Sequence, residues 1–133
     1  MALNADRNTP HRDGQAVALP VVAGAEIFAG ALVVANATGY VAPGSTATGL
    51  TYLGRAEAHV DNSAGGDGDL TVEVRRGLAF RFANDSGDPV TQASLGKVAY
   101  IVDDETVAAS DGTGTRSTAG VVVLIDDAGV WIE

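Results

Sequence analysis

Residues 90–133 read VTQASLGKVAYIVDDETVAASDGTGTRSTAGVVVLIDDAGVWIE. Three β-type runs, KVAYIV at 97–102, AGVVVLI at 119–125 and VWI at 130–132, are strung together by acidic and glycine-rich turns. Val, Ile, Tyr and Trp suit a pleated, half-buried surface, and Asp126-Asp-Ala-Gly129 has the composition of a tight turn. The segment holds no cysteine, no histidine and a single lysine, Lys97. It is equipped to build sheet and to present a surface. After Gly120 the second run is continuously apolar, the pattern of a strand covered on both faces, within the sheet or at a subunit contact. Val121, Val123, Ile125 and Trp131 are therefore the candidates for core or self-contact.

The same grammar extends toward the N-terminus. Leu70, Val72 and Val74 alternate with Thr71, Glu73 and Arg75, the period-two signature of a strand with one apolar face. Leu78, Phe80 and Phe82 repeat it after Gly77, with Ala79 and Arg81 outside. Residues 31–35 (ALVVA) read as a strand turning through Asn36-Ala-Thr-Gly39 into a partner at Tyr40-Val41. Residues 50–60 (LTYLGRAEAHV) read as a longer strand with Gly54 at a bulge. Residues 15–22 read as a strand in which Pro20, unable to donate to a ladder, marks an edge, a bulge or a strand end. Residues 61–69 (DNSAGGDGD) are the clearest loop, and residues 91–95 suit one helical turn closed by Gly96. Short strands every 8–12 residues or so, punctuated by turn signals, predict an all-β fold: a small β-barrel or sandwich.

Residues 1–14 (MALNADRNTPHRDG) differ in kind. Polar and turn-forming residues dominate, and Asp6 and Asp13 balance Arg7 and Arg12. The segment predicts an extended N-terminal arm, of the sort that orders on a partner's surface, ahead of a single β-barrel-like domain at 15–133. With 133 residues and 46% hydrophobic composition the chain supports one globular domain. Aromatics are only 5%, so Val, Ala, Leu and Ile must build the core. A net charge of −9 argues against DNA, RNA and anionic membrane as partners. No apolar run approaches the ~20 residues of a membrane-spanning helix. The first residues lack the apolar stretch of a secretory signal, and the absence of cysteine removes disulfides, thiol chemistry and Cys-ligated zinc. Both features suit synthesis in a cytoplasm.

Motifs for catalysis or cofactors are sparse. His11 lies in the polar arm. His59 stands two positions before Asp61, half of a possible triad on one strand face, but no G-x-S-x-G supplies the serine. A strand-end histidine before a hairpin accounts for it. Carboxylates cluster at Asp67/Asp69, Asp85/Asp88, residues 103–105 and Asp126/Asp127, yet none follows the calcium-loop spacing. They read as solvated acidic turns, with an opportunistic cation between subunits still compatible with them. No phosphate-binding glycine motif is present. The expectation is a non-enzyme with no catalytic residue, cofactor or resident metal.

Several patterns, in order, resemble the capsid decoration (cement) proteins of tailed bacteriophages. They are Ala29-Gly-Ala-Leu-Val33 with Thr38-Gly-Tyr-Val-Ala-Pro43, Gly54-Arg-Ala-Glu57, Val90-Thr-Gln with Leu95-Gly-Lys97, Tyr100-Ile-Val-Asp-Asp104-Glu-Thr-Val107, Ala119-Gly-Val121 and Gly129-Val-Trp131. The resemblance spans about residues 15–133. It implies a small β-barrel on the outer surface of a phage head, made in the host bacterial cytoplasm, that bridges major capsid protein subunits. It also implies a homo-oligomer, a trimer before a dimer. The arm would reach across the shell, with Leu3, Arg7, Pro10 and Arg12 as capsid-facing contacts. The alternatives are another virion β-protein (head fibre base, tail tube or baseplate) or a ligand-binding module.

Overall fold

The computed structural model describes residues 2–10 and 12–133. Its regular structure is β apart from one 3-10 turn at Gln92–Ser94, which follows Thr91 and ends at Leu95, where the helical turn was expected. In chain order the strands are β1 (Ala16–Pro20), β2 (Glu26–Ile27), β3 (Leu32–Ala35), β4 (Val41–Pro43), β5 (Thr51–Ala56), β6 (Val60–Asp61), β7 (Thr71–Arg75), β8 (Phe80–Asn84), β9 (Val98–Ile101), β10 (Thr106–Ala108), β11 (Thr118–Asp126) and β12 (Gly129–Ile132). They form a five-stranded sheet in the order β1-β7-β5-β3-β4, a closed five-stranded barrel in the order β10-β8-β12-β11-β9, and the two-stranded ribbon β2-β6. The fold class expected from the pattern is the one observed.

Each half has its own core. Val21, Ile27, Val33, Val41, Val72 and Val74 form the core of the first sheet. Phe80, Phe82, Ile101, Val107, Val122 and Ile132 fill the barrel. β3 belongs to both. Leu32 and Val34 point into the barrel core and Val33 into the sheet core, and all three are fully buried. The backbone of this strand ties the halves together as well: Leu32 N–H donates to the Asp104 carbonyl at 2.7 Å.

The alternation read at 72–75 and 80–82 is observed, with Val72, Val74, Phe80 and Phe82 buried and Glu73 and Arg81 outward. Leu70 and Leu78 fall just outside β7 and β8 and are exposed. Pro20 ends an edge strand, where its missing N–H leaves no ladder bond unmade. The expected long strand at 50–60 is instead two pieces, β5 and β6, divided after Ala56. Gly54 does mark a bulge: Val33 faces Gly54 and Val34 faces Tyr52, so Leu53 is the extra residue. Its φ of +145° suits only glycine, and a Cβ there would collide with the carbonyl oxygen of Arg75 on β7.

Within this chain residues 121–125 are covered on one face only, which removes the reading of a strand enclosed in the sheet and leaves that of a subunit contact open. Val122 is buried, but Val121, Val123 and Leu124 are exposed and Ile125 is only half-buried against the core. The reason lies in the barrel itself, whose wall has an inside filled by side chains and an outside left open at these residues by the described chain. Two register shifts, between Thr118 and Val121 against β9 and between Val122 and Leu124 against β12, let the nine residues of β11 bend around the corner. Trp131 is likewise no core residue. It lies half-buried on the outer wall, opposite Arg81.

This packing predicts a clear asymmetry in stability. Leu32→Ala, which empties a fully buried site between the two halves, is expected to cost about 2–5 kcal/mol. Leu124→Ala, on the outer face of β11, is expected to change stability by no more than about 0.5 kcal/mol. Urea denaturation of the two variants beside the parent chain checks both.

Candidate functional site

Every described residue of 2–14 is exposed, including Leu3, Arg7, Pro10 and Arg12. Hydrogen bonds of the arm are local: Arg7 Nη1 donates to Thr9 Oγ1 at 2.8 Å, Thr9 N–H to the Arg7 carbonyl, and Gln15 N–H to Asp13 Oδ1. Met1 and His11, read with this arm in the sequence, lie outside the described residues. The arm leads into β1 beside Gly77, whose open side meets the Gln15 side chain.

A second exposed feature is apolar. Val121 faces Val98 across the β11–β9 ladder, Val123 continues the row, and Leu95 stands next to it, because Gly96 N–H donates to the Val122 carbonyl. All four side chains are at least 39% exposed, a contiguous apolar strip on an otherwise acidic protein. The candidates Val121 and Val123 are thus on this strip, Ile125 turns toward the core, and Trp131 faces elsewhere on the barrel wall.

His59 is placed differently from the reading of its sequence neighbours. Its Nε2 lies 2.8 Å from Glu26 Oε2 across the β2–β6 ribbon, and its ring stacks on Phe28 with centroids 4.9 Å apart. Asp61 turns away, accepting from Ser63 N–H. Among the described residues no serine hydroxyl is hydrogen-bonded to the imidazole. The pair Glu26–His59 is more than 40% exposed on both sides, an arrangement that ties a short ribbon together rather than one that shields a reaction from water.

The carboxylates of Asp67 and Asp69 in the acidic loop at 61–69 accept from backbone N–H groups, one across the fold and one within the loop. Asp67 Oδ1 accepts from Ala23 N–H and Asp69 Oδ2 from Gly66 N–H, both at 2.8 Å. Asn62, almost fully buried, anchors this loop by donating through Nδ2 to the carbonyls of Val22 and Gly66. Asn84 and Ser117 play the same part elsewhere, Asn84 bridging both backbone groups of Val90 and Ser117 linking Ala47 to Leu50. Sequence reasoning missed these three residues, and an Asn or Ser at the foot of a long loop is the signal that would have found them. Among the described residues no three His, Asp or Glu side chains converge as metal ligands. Among them, too, no helix is long and apolar enough to cross a membrane.

Charge is organised around a few fixed carboxylates. Asp88 accepts from the hydroxyl and the N–H of Ser110 and from Arg116 Nη1 at 2.8 Å. The Ser110 hydroxyl first, and then the Arg116 guanidinium, hold its carboxyl below the usual range. Asp126 is held low chiefly by the indole N–H of Trp131, 2.9 Å away, and by the backbone of the β11–β12 turn. Burial, conversely, pushes the Tyr52 hydroxyl up to about 12. Arg55 and Arg75 face one another on β5 and β7 and share Glu57, whose carboxyl is lowered first by its bond to Arg55.

No protein-family model, curated protein or solved structure matches this chain.

The lowered carboxyls predict an acid limb to stability. A group whose folded-state pKa is depressed stabilises fully above its unfolded value and loses that contribution as pH falls through the folded one. Thermal unfolding should therefore shift to lower temperature as pH drops below about 4, the range of a free aspartate. Asp88→Asn is expected to lower the midpoint at pH 7 and to flatten the acid decline. Scanning calorimetry between pH 7 and pH 2 checks it, and parallel curves for variant and parent would refute this role for Asp88.

Proposed function

We propose that this chain is a structural capsid decoration protein that binds the outer surface of a tailed-phage head and strengthens contacts between major capsid protein subunits. The observation that carries the reading is the arm: a stretch whose described residues are exposed and make only local hydrogen bonds, set ahead of a firmly packed β body. A segment with Leu3 and Pro10 for apolar contact and Arg7 and Arg12 for acidic patches is suited to lie across a neighbouring surface. Its ordering entropy is then offset at the moment of binding. The order of motifs along residues 15–133 resembles that family, and the all-β body is compatible with it.

In this reading the apolar strip of Leu95, Val98, Val121 and Val123 serves as the contact between copies, a trimer before a dimer, because an exposed apolar row of this kind is costly unless covered. The mechanism is mass action. A protein that binds only the assembled shell disfavours its separated subunits, and repetition over many equivalent sites multiplies the effect. The chain would then be made in the host cytoplasm and end on the virion exterior.

Deleting residues 2–14 is expected to leave far-UV circular dichroism and the melting temperature nearly unchanged while weakening binding to heads by about tenfold or more. Cosedimentation with heads and electron cryomicroscopy of the mixture measure this. Undiminished binding of the truncated chain would overturn the role of the arm. Bare heads in the presence of the full-length protein would overturn the decoration reading itself.

A further inference from the structure

A cleft of about 310 Å³ opens where the first sheet meets the outer wall of the barrel, lined by Arg55, Phe80, Arg81, Trp131 and Gly30. Each arginine lies over an aromatic ring. The Arg55 guanidinium carbon is 4.7 Å from the centre of Phe80, and that of Arg81 is 5.8 Å from the centre of Trp131. Arg55 is held by more than its ring. Glu57 accepts from Nε and Nη2 of Arg55, leaving Nη1 without a protein acceptor among the described residues. Trp131 is itself fixed through its indole N–H by Asp126.

Arg81 carries no counter-charge. Acidic residues outnumber basic ones seventeen to eight, and among the described residues no carboxylate lies within ion-pair distance of Arg81, as is also the case for Arg76 and Lys97. Asp126 is close enough to feel its charge but spends its carboxylate on Trp131 and the turn backbone. The result is an oriented guanidinium without a counter-charge, beside a second guanidinium with one free edge.

We propose that this cleft binds a carboxylate carried on an apolar stem, as presented by an acidic side chain in a partner's peptide segment. The planar fork of a guanidinium matches a carboxylate edge to edge, and stacking on Phe80 and Trp131 pre-pays the ordering of both arginines. Gly30, Ala79 and the half-exposed Trp131 side chain offer the stem an apolar wall. Glu57 and Asp126 stand at the margins within a chain of net charge −9, so a single carboxylate is tolerated where a multiply charged phosphate chain is repelled. The proposal is independent of the capsid reading and names a site that reading does not use.

Trp131 is the single tryptophan, so its fluorescence reports on this cleft alone. The full-length protein is titrated at constant ionic strength with a blocked peptide of sequence Leu-Glu-Ala-Leu-Glu-Ala, with its glutamine counterpart, and with sodium acetate. A saturable change with the glutamate peptide and none with the glutamine peptide is expected. Arg81→Gln should weaken binding about tenfold or more, the loss of a charged hydrogen-bonded pair. Arg81→Lys, which keeps the charge but not the fork or the stacking, should fall between, and Lys97→Gln, which removes a charge outside the cleft, should change nothing. If Arg81→Gln loses its far-UV spectrum, Arg81→Lys carries the comparison. Acetate competing as well as the peptide would support the carboxylate site and make a free small acid its source. No saturable response to either, equal response to both peptides, or binding indifferent to Arg81 would overturn the proposal.

Discussion

The double burial of β3 is the constraint on which the rest of the structure depends. Three consecutive residues, Leu32, Val33 and Val34, are fully enclosed, and they point alternately into two different cores. A strand in this position cannot slip by one residue without exchanging the partners of both cores at once. The bulge at Leu53 and the glycine at position 54 follow from it, because β5 must keep pairing with β3 while passing close to the β7 backbone. The connection from Leu32 N–H to the Asp104 carbonyl adds a backbone bond between the halves at the same place. Two small cores, each thin alone, thus share one wall.

That arrangement leaves the outside of the barrel as the surface with something to offer. β12 closes the barrel against β8, and Gly129, at φ +155°, lets the β11–β12 turn pass close to the Phe82 carbonyl where a Cβ would not fit. The outer wall then divides into two regions of opposite character. One carries the apolar strip on β9 and β11; the other carries Arg81 and Trp131 on β8 and β12, next to Arg55 from β5. The acidic loops, by contrast, turn carboxylates onto backbone N–H groups, Asp69 and Asp126 within their own turns and Asp67 onto Ala23, which gives these charges a structural role. An acidic protein with a small basic, aromatic recess and a separate apolar strip has two chemically distinct ways to meet other molecules, besides its arm.

Most of the strands were legible from sequence, and for a definite reason. Where a strand has one wet face and one dry face, as in β7 and β8, the side-chain period of two writes itself into the residues. Turns were equally legible: Asn36, whose carboxamide oxygen accepts from Thr38 and Tyr40, and Asp126, which caps the β11–β12 turn, are residue types chosen for that chemistry. The two apolar runs ALVVA and GVVVLI, however, look alike as sequence, yet only the first is enclosed on both faces within the chain, at Leu32, Val33 and Val34. Burial of the second face is set by what packs on it, and a run of valines carries no record of its neighbour. The candidate residues scattered for the same reason: Val121 and Val123 lie on the open strip, Ile125 leans on the core, and Trp131 stands on a separate part of the wall.

By itself the sequence determined an all-β body behind a polar arm, strands of a few residues, acidic turns and a core of small aliphatic side chains. All of these follow from local periodicity, turn propensity and composition, which act within a window of a few residues. Only the tertiary structure decided that the strands divide into a sheet and a closed barrel, that β10 runs parallel to β8, that β3 is shared between the cores, and that Arg55 and Arg81 line one cleft. Those outcomes rest above all on pairings between strands distant in sequence, such as β1 with β7 and β8 with β12, where the choice of partner comes from shape and register across the whole chain, and no local pattern encodes them.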